Sequence, residues 1–223
     1  MVIGSTIDGS YLYAKNGLVG KWEKWILLIL SCIIFPLFMG YTMRIYRGAN
    51  PAPELDDWGG MFIDGIKLLI VSVIYALPVI ILDFVLMGSA GLALLSSVKT
   101  SSGAIDPGAI IGLLIAVLFG ALIIVIVGII IGLITATACV RFARTNSFSE
   151  AFNFGAIFTH ISKIGWMTYI IALIMMGIIV GIVEVISLAI PYIGIVIFVI
   201  LLPFIGLFSA RYLTLLYESA EAI

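Results

Sequence analysis

The sequence predicts an all-α, polytopic membrane helical bundle with two transmembrane hairpins, which together give four spans. The chain of 223 residues is 63% hydrophobic and only 10% charged, so a soluble domain could not cover its apolar surface. All of the 11 lysines and arginines except Lys99 can be set at the flanks of three apolar stretches, on one side of a membrane. A short first apolar segment and interfacial amphipathic helices complete the predicted fold.

The first apolar stretch, residues 26–43, is either re-entrant or a fifth span. A helix of this length would measure about 27 Å, barely enough to cross the hydrocarbon, and Pro36 interrupts it near the centre. A single span would place Lys15, Lys21 and Lys24 on the outer side, against the positive-inside rule. A loop that dips in and returns avoids this conflict, but its bent backbone must be buried against other helices.

The second stretch, residues 68–140, is too long for one span. The polar, turn-forming sequence at 96–108 predicts a break that leaves spans at about 66–87 and 109–140.

The third stretch is divided at Pro191, which predicts spans at about 164–188 and 192–212. Both long stretches would then enter and leave on the basic side, which the positive-inside rule makes the cytoplasmic side of a cell membrane.

Three weak internal repeats, at about 8–47, 54–144 and 147–213, favour a single membrane domain over residues 1–223. Each repeat begins with a predicted amphipathic segment that ends at a lysine, and each closes in an arginine–aromatic phrase. These closing phrases are MRIYR at 43–47, VRFAR at 140–144 and ARYL at 210–213.

Two of the amphipathic segments are predicted to lie in the headgroup plane, with their aromatic faces towards the membrane. In the segment from 147 to 163, Ser147 and Glu150 have the spacing of a capping box. In the segment at 54–66, Asp56 or Asp57 would cap the helix.

Charged and aromatic residues near the basic boundary are predicted to form ion pairs and membrane anchors. Asp64 and Lys67 stand three residues apart on one helix face, which favours a pair. Arg44 and Arg47 are expected to meet the acidic run of residues 54–57. The complete set of predicted anchors is Asp64, Lys67, Arg44, Arg47, Trp58, Arg141, Arg144, Lys163 and Arg211.

Asp83 and Glu184 form a candidate polar site, because an ionisable residue within a span is costly and is by default a functional candidate. Their depth along the predicted helices puts both near the outer boundary, where solvated carboxylates, a shared ion-binding site and a partner interface are all open interpretations. His160, the only histidine, has no evident partner in the sequence.

Small residues recur at four-residue spacing in the span at 109–140, with a shorter pair in the next span. Such faces let membrane helices approach closely, either within the fold or between subunits. The predicted helix-packing residues are Gly112, Ala116, Gly120, Gly128, Gly132, Ala136, Gly177 and Gly181.

Residues 40–78 resemble the hallmark of domain-of-unknown-function family 4013, a set of integral membrane proteins of which many are archaeal. The resemblance implies a polytopic membrane fold and brings no assigned activity. It rests on Gly40, Tyr41, Arg44, Arg47, Pro53, Glu54, Asp57, Trp58, Phe62, Asp64, Gly65 and Lys67.

The function most in keeping with these features is a non-enzymatic scaffold or assembly subunit, which packs through small-residue helix faces as a homo-oligomer or within a membrane complex. A small-solute or ion transporter or channel is the alternative. The sequence contains no nucleophile–base pair or metal-ligand spacing, so neither catalytic residues nor a cofactor or metal is expected. Membrane lipids are expected partners and nucleic acid is not, since no basic tract is present.

Overall fold

The computed structural model describes residues 2–97 and 107–221, and within them the chain forms α-helices and no strands. This confirms the predicted all-α fold. The helices are α1 (Val2–Leu18), α2 (Trp22–Ile33), α3 (Phe35–Tyr46), α4 (Trp58–Ser97), α5 (Pro107–Thr145), α6 (Phe148–Ala151), α7 (Phe154–Ile164), α8 (Trp166–Leu188) and α9 (Gly194–Glu218).

Four of these helices, α4, α5, α8 and α9, are long and apolar enough to cross a membrane, as predicted. The chain between α8 and α9 contains Pro191, the residue expected to separate them. Most of the polar gap predicted at 96–108, including Lys99, lies outside the described residues. α4 and α5 extend well beyond the predicted spans, with 40 and 39 residues respectively.

The first apolar stretch forms two short helices that pack against each other. α2 and α3 have 12 residues each, so each measures about 18 Å, too short to span the hydrocarbon alone. The backbone breaks at Ile34, whose φ of −92° and ψ of 75° are not helical, and Pro36 lies in the first turn of α3. Proline tolerates that position because the amide it lacks would have no helical acceptor.

The segments predicted as in-plane helices fold differently from expectation. Residues 58–66 are the first turns of α4, which runs unbroken past Lys67, so no separate helix exists there. Asp57 does cap α4, since its Oδ1 accepts a hydrogen bond from the Gly60 amide at 3.1 Å.

The capping box predicted from Ser147 and Glu150 is wrong. The Ser147 hydroxyl contacts that of Ser149 at 2.9 Å, and the Glu150 carboxylate is engaged by Arg141. The helix breaks after α6, and Asn153 caps α7 by accepting from the Ala156 amide at 3.2 Å.

The chain divides into two compact units. The larger unit comprises residues up to 72 and from 133 onwards, and the smaller comprises residues 73–132. In the larger unit α1 packs along α9, and buried tyrosine hydroxyls satisfy carbonyl groups, such as Tyr212 with Ala172 at 2.8 Å. In the smaller unit, Leu86 of α4 lies against Gly120 of α5.

Helices α3 and α4 cross with their backbones in close contact, inside the larger unit. A Cβ atom on Gly65 would lie 1.7 Å from the carbonyl oxygen of Pro36, and one on Gly40 would lie 1.8 Å from that of Met61. Glycine is therefore required at both positions, because a backbone carbonyl cannot move aside as a flexible side chain can. The bent segment is thus held against α4 at its proline.

Candidate functional site: the arginine-rich helix ends

Basic and acidic side chains gather where α3, α5 and α9 end, in the larger unit. Six of the predicted anchors take part in ion pairs there, and Asp56, Asp57, Glu150 and Glu218 are among their acidic partners, while Glu54 pairs with Lys24. The pairs are Lys24–Glu54, Arg44–Asp56, Arg44–Asp57, Arg47–Asp64, Lys67–Asp64, Arg141–Glu150 and Arg144–Glu218.

Arg47 and Arg144 exchange hydrogen bonds with each other's chain segment. The Nε atom of Arg144 donates to the Tyr46 carbonyl at 2.7 Å, and that of Arg47 donates to the Ala143 carbonyl at 3.4 Å. Each acceptor is the residue just before the other arginine, so the phrases MRIYR and VRFAR bind each other reciprocally. We call these two arginines and two carbonyl groups the arginine clamp.

Each arginine of the clamp also binds a carboxylate, which holds its guanidinium in place. Arg47 Nη1 lies 2.6 Å from Asp64 Oδ2, whose other oxygen lies 3.6 Å from Lys67 Nζ. Arg144 pairs with Glu218 at the last residue of α9. The sequence predicts that Arg47 meets the acidic run at 54–57. In the structure it pairs instead with Asp64, which lies in α4 beyond that run.

Arg44 binds the acidic run as expected and closes the loop between α3 and α4. Its guanidinium pairs with Asp56 and donates to the carbonyl groups of Glu54 and Asp56, at 3.1 and 2.9 Å. The positive charges at the last turn of α3 also lie at the negative end of its helix dipole, which favours them there.

Arg141 and His160 surround the end of α9. Arg141 donates to Glu150, and this hydrogen bond holds the pKa of the Glu150 carboxyl below its usual range. His160 Nε2 donates to the Tyr217 carbonyl at 2.9 Å, and its ring stacks on that of Tyr217 with 3.7 Å between centroids. Burial lowers the pKa of His160. This partner could not be predicted from the sequence, because Tyr217 lies 57 positions away.

Arg211 differs from the other anchors because it is buried, with 9% of its surface exposed. Its guanidinium carbon lies 5.0 Å from the centroid of the Tyr13 ring, and Nη1 has no hydrogen-bond partner among the described residues. Lys163 is exposed in the last turn of α7, next to Phe158 and Trp166 in an open depression. Trp58, 39% exposed, is the first residue of α4.

The two carboxylates of the candidate polar site lie in different units. Asp83 is exposed on the part of α4 that belongs to residues 73–132, and Glu184 is half-buried on α8 in the larger unit. Neither forms an ion pair with a described residue, and no described group of histidine, cysteine or carboxylate side chains could hold a metal ion. A shared role of the two carboxylates stays a prediction.

Most of the predicted helix-packing glycines have open space where a side chain would extend. A Cβ atom on Gly112, Gly128 or Gly132 would meet no described atom within 4 Å, and the same holds for Gly177 and Gly181. Gly120 is the exception, since a Cβ there would lie 2.3 Å from the Leu86 side chain. Ala116 is exposed and Ala136 is half-buried.

Long apolar helices with charged ends define the class of this chain as a multi-pass integral membrane protein. The sequence matches, over residues 25–192, the family described as a protein of unknown function (DUF4013), and the chain belongs to that family. This confirms the resemblance seen at residues 40–78. No curated protein and no solved structure matches the chain significantly.

Proposed function

We propose that the chain is a non-enzymatic assembly subunit of the cell membrane, which associates with a second copy of itself through the small-residue face of α5. The observation that carries this proposal is the open space over Gly128 and Gly132. A packing face that served only the fold would be filled by the chain's own side chains, as Leu86 fills the space at Gly120.

A membrane environment makes this surface well suited to helix association. Lipid tails are as apolar as leucine side chains, so close packing between backbones, rather than hydrophobic burial, drives helices together. The apolar window of α5 has no buried residue, so its length is available to a partner. Gly128 and Gly132 are four residues apart and so lie on the same side of the helix, where a second α5 could approach.

The experiment measures oligomeric state in mild detergent by native mass spectrometry. The wild type is expected to form dimers, and replacing Gly128 and Gly132 together by leucine should raise the dimer dissociation constant at least about tenfold. Gly88→Leu with Gly91→Leu is the matched control, because these α4 glycines are also open and lie off the face. A wild type that is monomeric at every concentration would exclude the proposal.

We further propose that the arginine-rich helix ends face the cytoplasm and that the α2–α3 segment is re-entrant. The basic residues at these ends and the break at Ile34 support this orientation. Asn16→Cys and Asn50→Cys test it, since both positions are exposed and flank the segment. With Cys32 and Cys139 replaced by alanine, both new thiols should react with a membrane-impermeant reagent from the same side.

A transporter or channel is the second candidate, and the broken α2–α3 segment is the observation that favours it. Discontinuous helices often hold substrates in secondary transporters. Asp83→Asn with Glu184→Gln is the test, measured as ion or solute flux into liposomes. A flux that the wild type supports and the double variant loses would favour transport over assembly.

A further inference from the structure

A cleft of about 550 Å³ opens at the start of α2 in the larger unit, and it lies outside the arginine clamp. The turn before α2 and its first residues form one wall, and Glu54 and Leu55 from the loop before α4 form another. Its volume falls within the range of about 300–1,000 Å³ that is typical of small-molecule sites.

The cleft contains four charged side chains whose charges cancel. Lys21 and Glu23 are exposed, and neither is ion-paired with any residue in the described ranges. Lys24 is buried and donates to Glu54 Oε1 and to the Ala52 carbonyl, each at 3.2 Å. The Glu54 side chain nevertheless keeps 69% of its surface exposed. Two cations and two anions, of which Lys24 and Glu54 are already paired, therefore face the same space.

Aromatic and apolar residues beside this cleft indicate that it lies at the boundary between the headgroup region and the hydrocarbon core of the membrane. The rings of Trp22 and Trp25 stack with 5.7 Å between centroids, and Trp25 Nε1 donates to the Ile200 carbonyl at 2.8 Å. Tryptophan pairs of this kind favour the headgroup level of a membrane. Leu27, from the apolar part of α2, also lines the cleft. A ligand with a charged head and an apolar tail would match both ends.

We infer that the cleft binds the headgroup of a zwitterionic phospholipid that carries a primary ammonium group, such as phosphatidylethanolamine. The phosphodiester would accept hydrogen bonds from the Lys21 ammonium, while the lipid ammonium would donate to Glu23 and the free oxygen of Glu54. The fixed Lys24–Glu54 pair organises the site before the lipid arrives, which lowers the entropic cost of binding.

Other headgroups fit the same charges less well. An anionic phosphatidylglycerol would meet two carboxylates without supplying a cation to them. A choline headgroup cannot donate hydrogen bonds, and its quaternary ammonium is recognised best by an aromatic cage, whereas the two tryptophans here stack on each other. This inference does not depend on the assembly role, and the variant carrying leucine at positions 128 and 132 should retain lipid binding.

The experiment uses the full chain, delipidated in mild detergent, and measures lipid binding by native mass spectrometry. The probes are dioleoyl phosphatidylethanolamine, phosphatidylcholine and phosphatidylglycerol, and soluble phosphoethanolamine is added as a competitor. The wild type should bind phosphatidylethanolamine about tenfold more tightly than either other lipid, the effect of one charge-assisted hydrogen bond. Soluble phosphoethanolamine should compete weakly, since it lacks the tail.

Two exposed positions supply the variants, so folding is not at risk. Lys21→Gln should weaken binding of all phospholipids about tenfold, and Glu23→Gln should remove most of the preference for ethanolamine over choline. Lys15→Gln, another exposed lysine that lies outside the cleft, is the matched control and should change nothing. Equal affinity for the three lipids, tighter phosphatidylglycerol binding, full competition by phosphoethanolamine, or an unchanged Lys21→Gln variant would each overturn the inference.

Discussion

In the unit made of residues up to 72 and from 133 onwards, seven ion pairs join the described helix ends, and α3 crosses α4 with glycine against backbone. In residues 73–132, the described contact between α4 and α5 is apolar, with Leu86 against Gly120, and Asp83 forms no ion pair with a described residue. Because lipid gives apolar helices little reason to associate, the first unit is held by specific contacts of its own. The second has open space over Gly128 and Gly132.

The largest effect is expected from a single methyl group at the crossing of α3 and α4. Gly65→Ala would drive Cβ into the Pro36 carbonyl, so it should cost about 3 kcal/mol or more of unfolding free energy. The measurement is thermal unfolding in detergent. Gly59→Ala in the larger unit and Gly88→Ala in the other unit are controls with open space, and both should be nearly neutral. An equal loss of stability at all three positions would show that the close backbone contact at Gly65 is not what stabilises the larger unit.

A smaller effect is expected from weakening the arginine clamp. Arg144→Lys keeps a positive charge near Glu218 but removes the Nε donor to the Tyr46 carbonyl, which should cost about 2 kcal/mol. Arg47→Lys should cost less, since its bond to Ala143 is longer, at 3.4 Å, and its side chain is more exposed. Denaturation of both variants in detergent measures the two losses of unfolding free energy. A larger loss for Arg47→Lys would show that the carboxylate contacts contribute more to stability than the bonds to the carbonyl groups.

The smallest effect is expected from acidification. Burial lowers the pKa of His160 in the folded protein, so the unfolded chain binds its proton first, and stability should fall as pH drops below about 6.5. Glu150 contributes in the same direction at lower pH, because its pKa is lowered by Arg141 and its stabilising charge is lost as it protonates. His160→Phe preserves the stacked ring and should flatten the unfolding temperature between pH 7.5 and 5.5. An unchanged slope in that variant would assign the pH dependence to another group.

The four spans could be predicted from the sequence because lipid imposes a length and an apolarity that composition reveals directly. The breaks near Pro36 and at Pro191 followed from the same local rules. The continuation of α4 through residues 58–66 could not be predicted, since a segment with an aromatic face and charged ends fits both an in-plane helix and the first turns of a span.

The partners within the charged region were harder to predict than its location. Spacing along a helix suggested Asp64 with Lys67, but Arg47 reaches a carbonyl 96 positions away, and no local pattern encodes that contact. Glycine periodicity likewise marked a small-residue face on α5, while the glycines that the fold itself requires, Gly40 and Gly65, have no such periodicity. Residue spacing predicts which side chains share a helix face, whereas their partners on other helices are known only from the fold.

The arginine clamp has a consequence for how this protein tolerates sequence change. Its two acceptors are the main-chain carbonyl groups of Tyr46 and Ala143, and every amino acid supplies such a group. The link therefore depends on the side chains of the two arginines, whereas the buried side chains of Tyr46 and Ala143 contribute packing and not the link itself. A substitution of either arginine would remove a donor directly, whereas a substitution elsewhere in the two phrases would act on the link only by shifting the backbone that carries the acceptors.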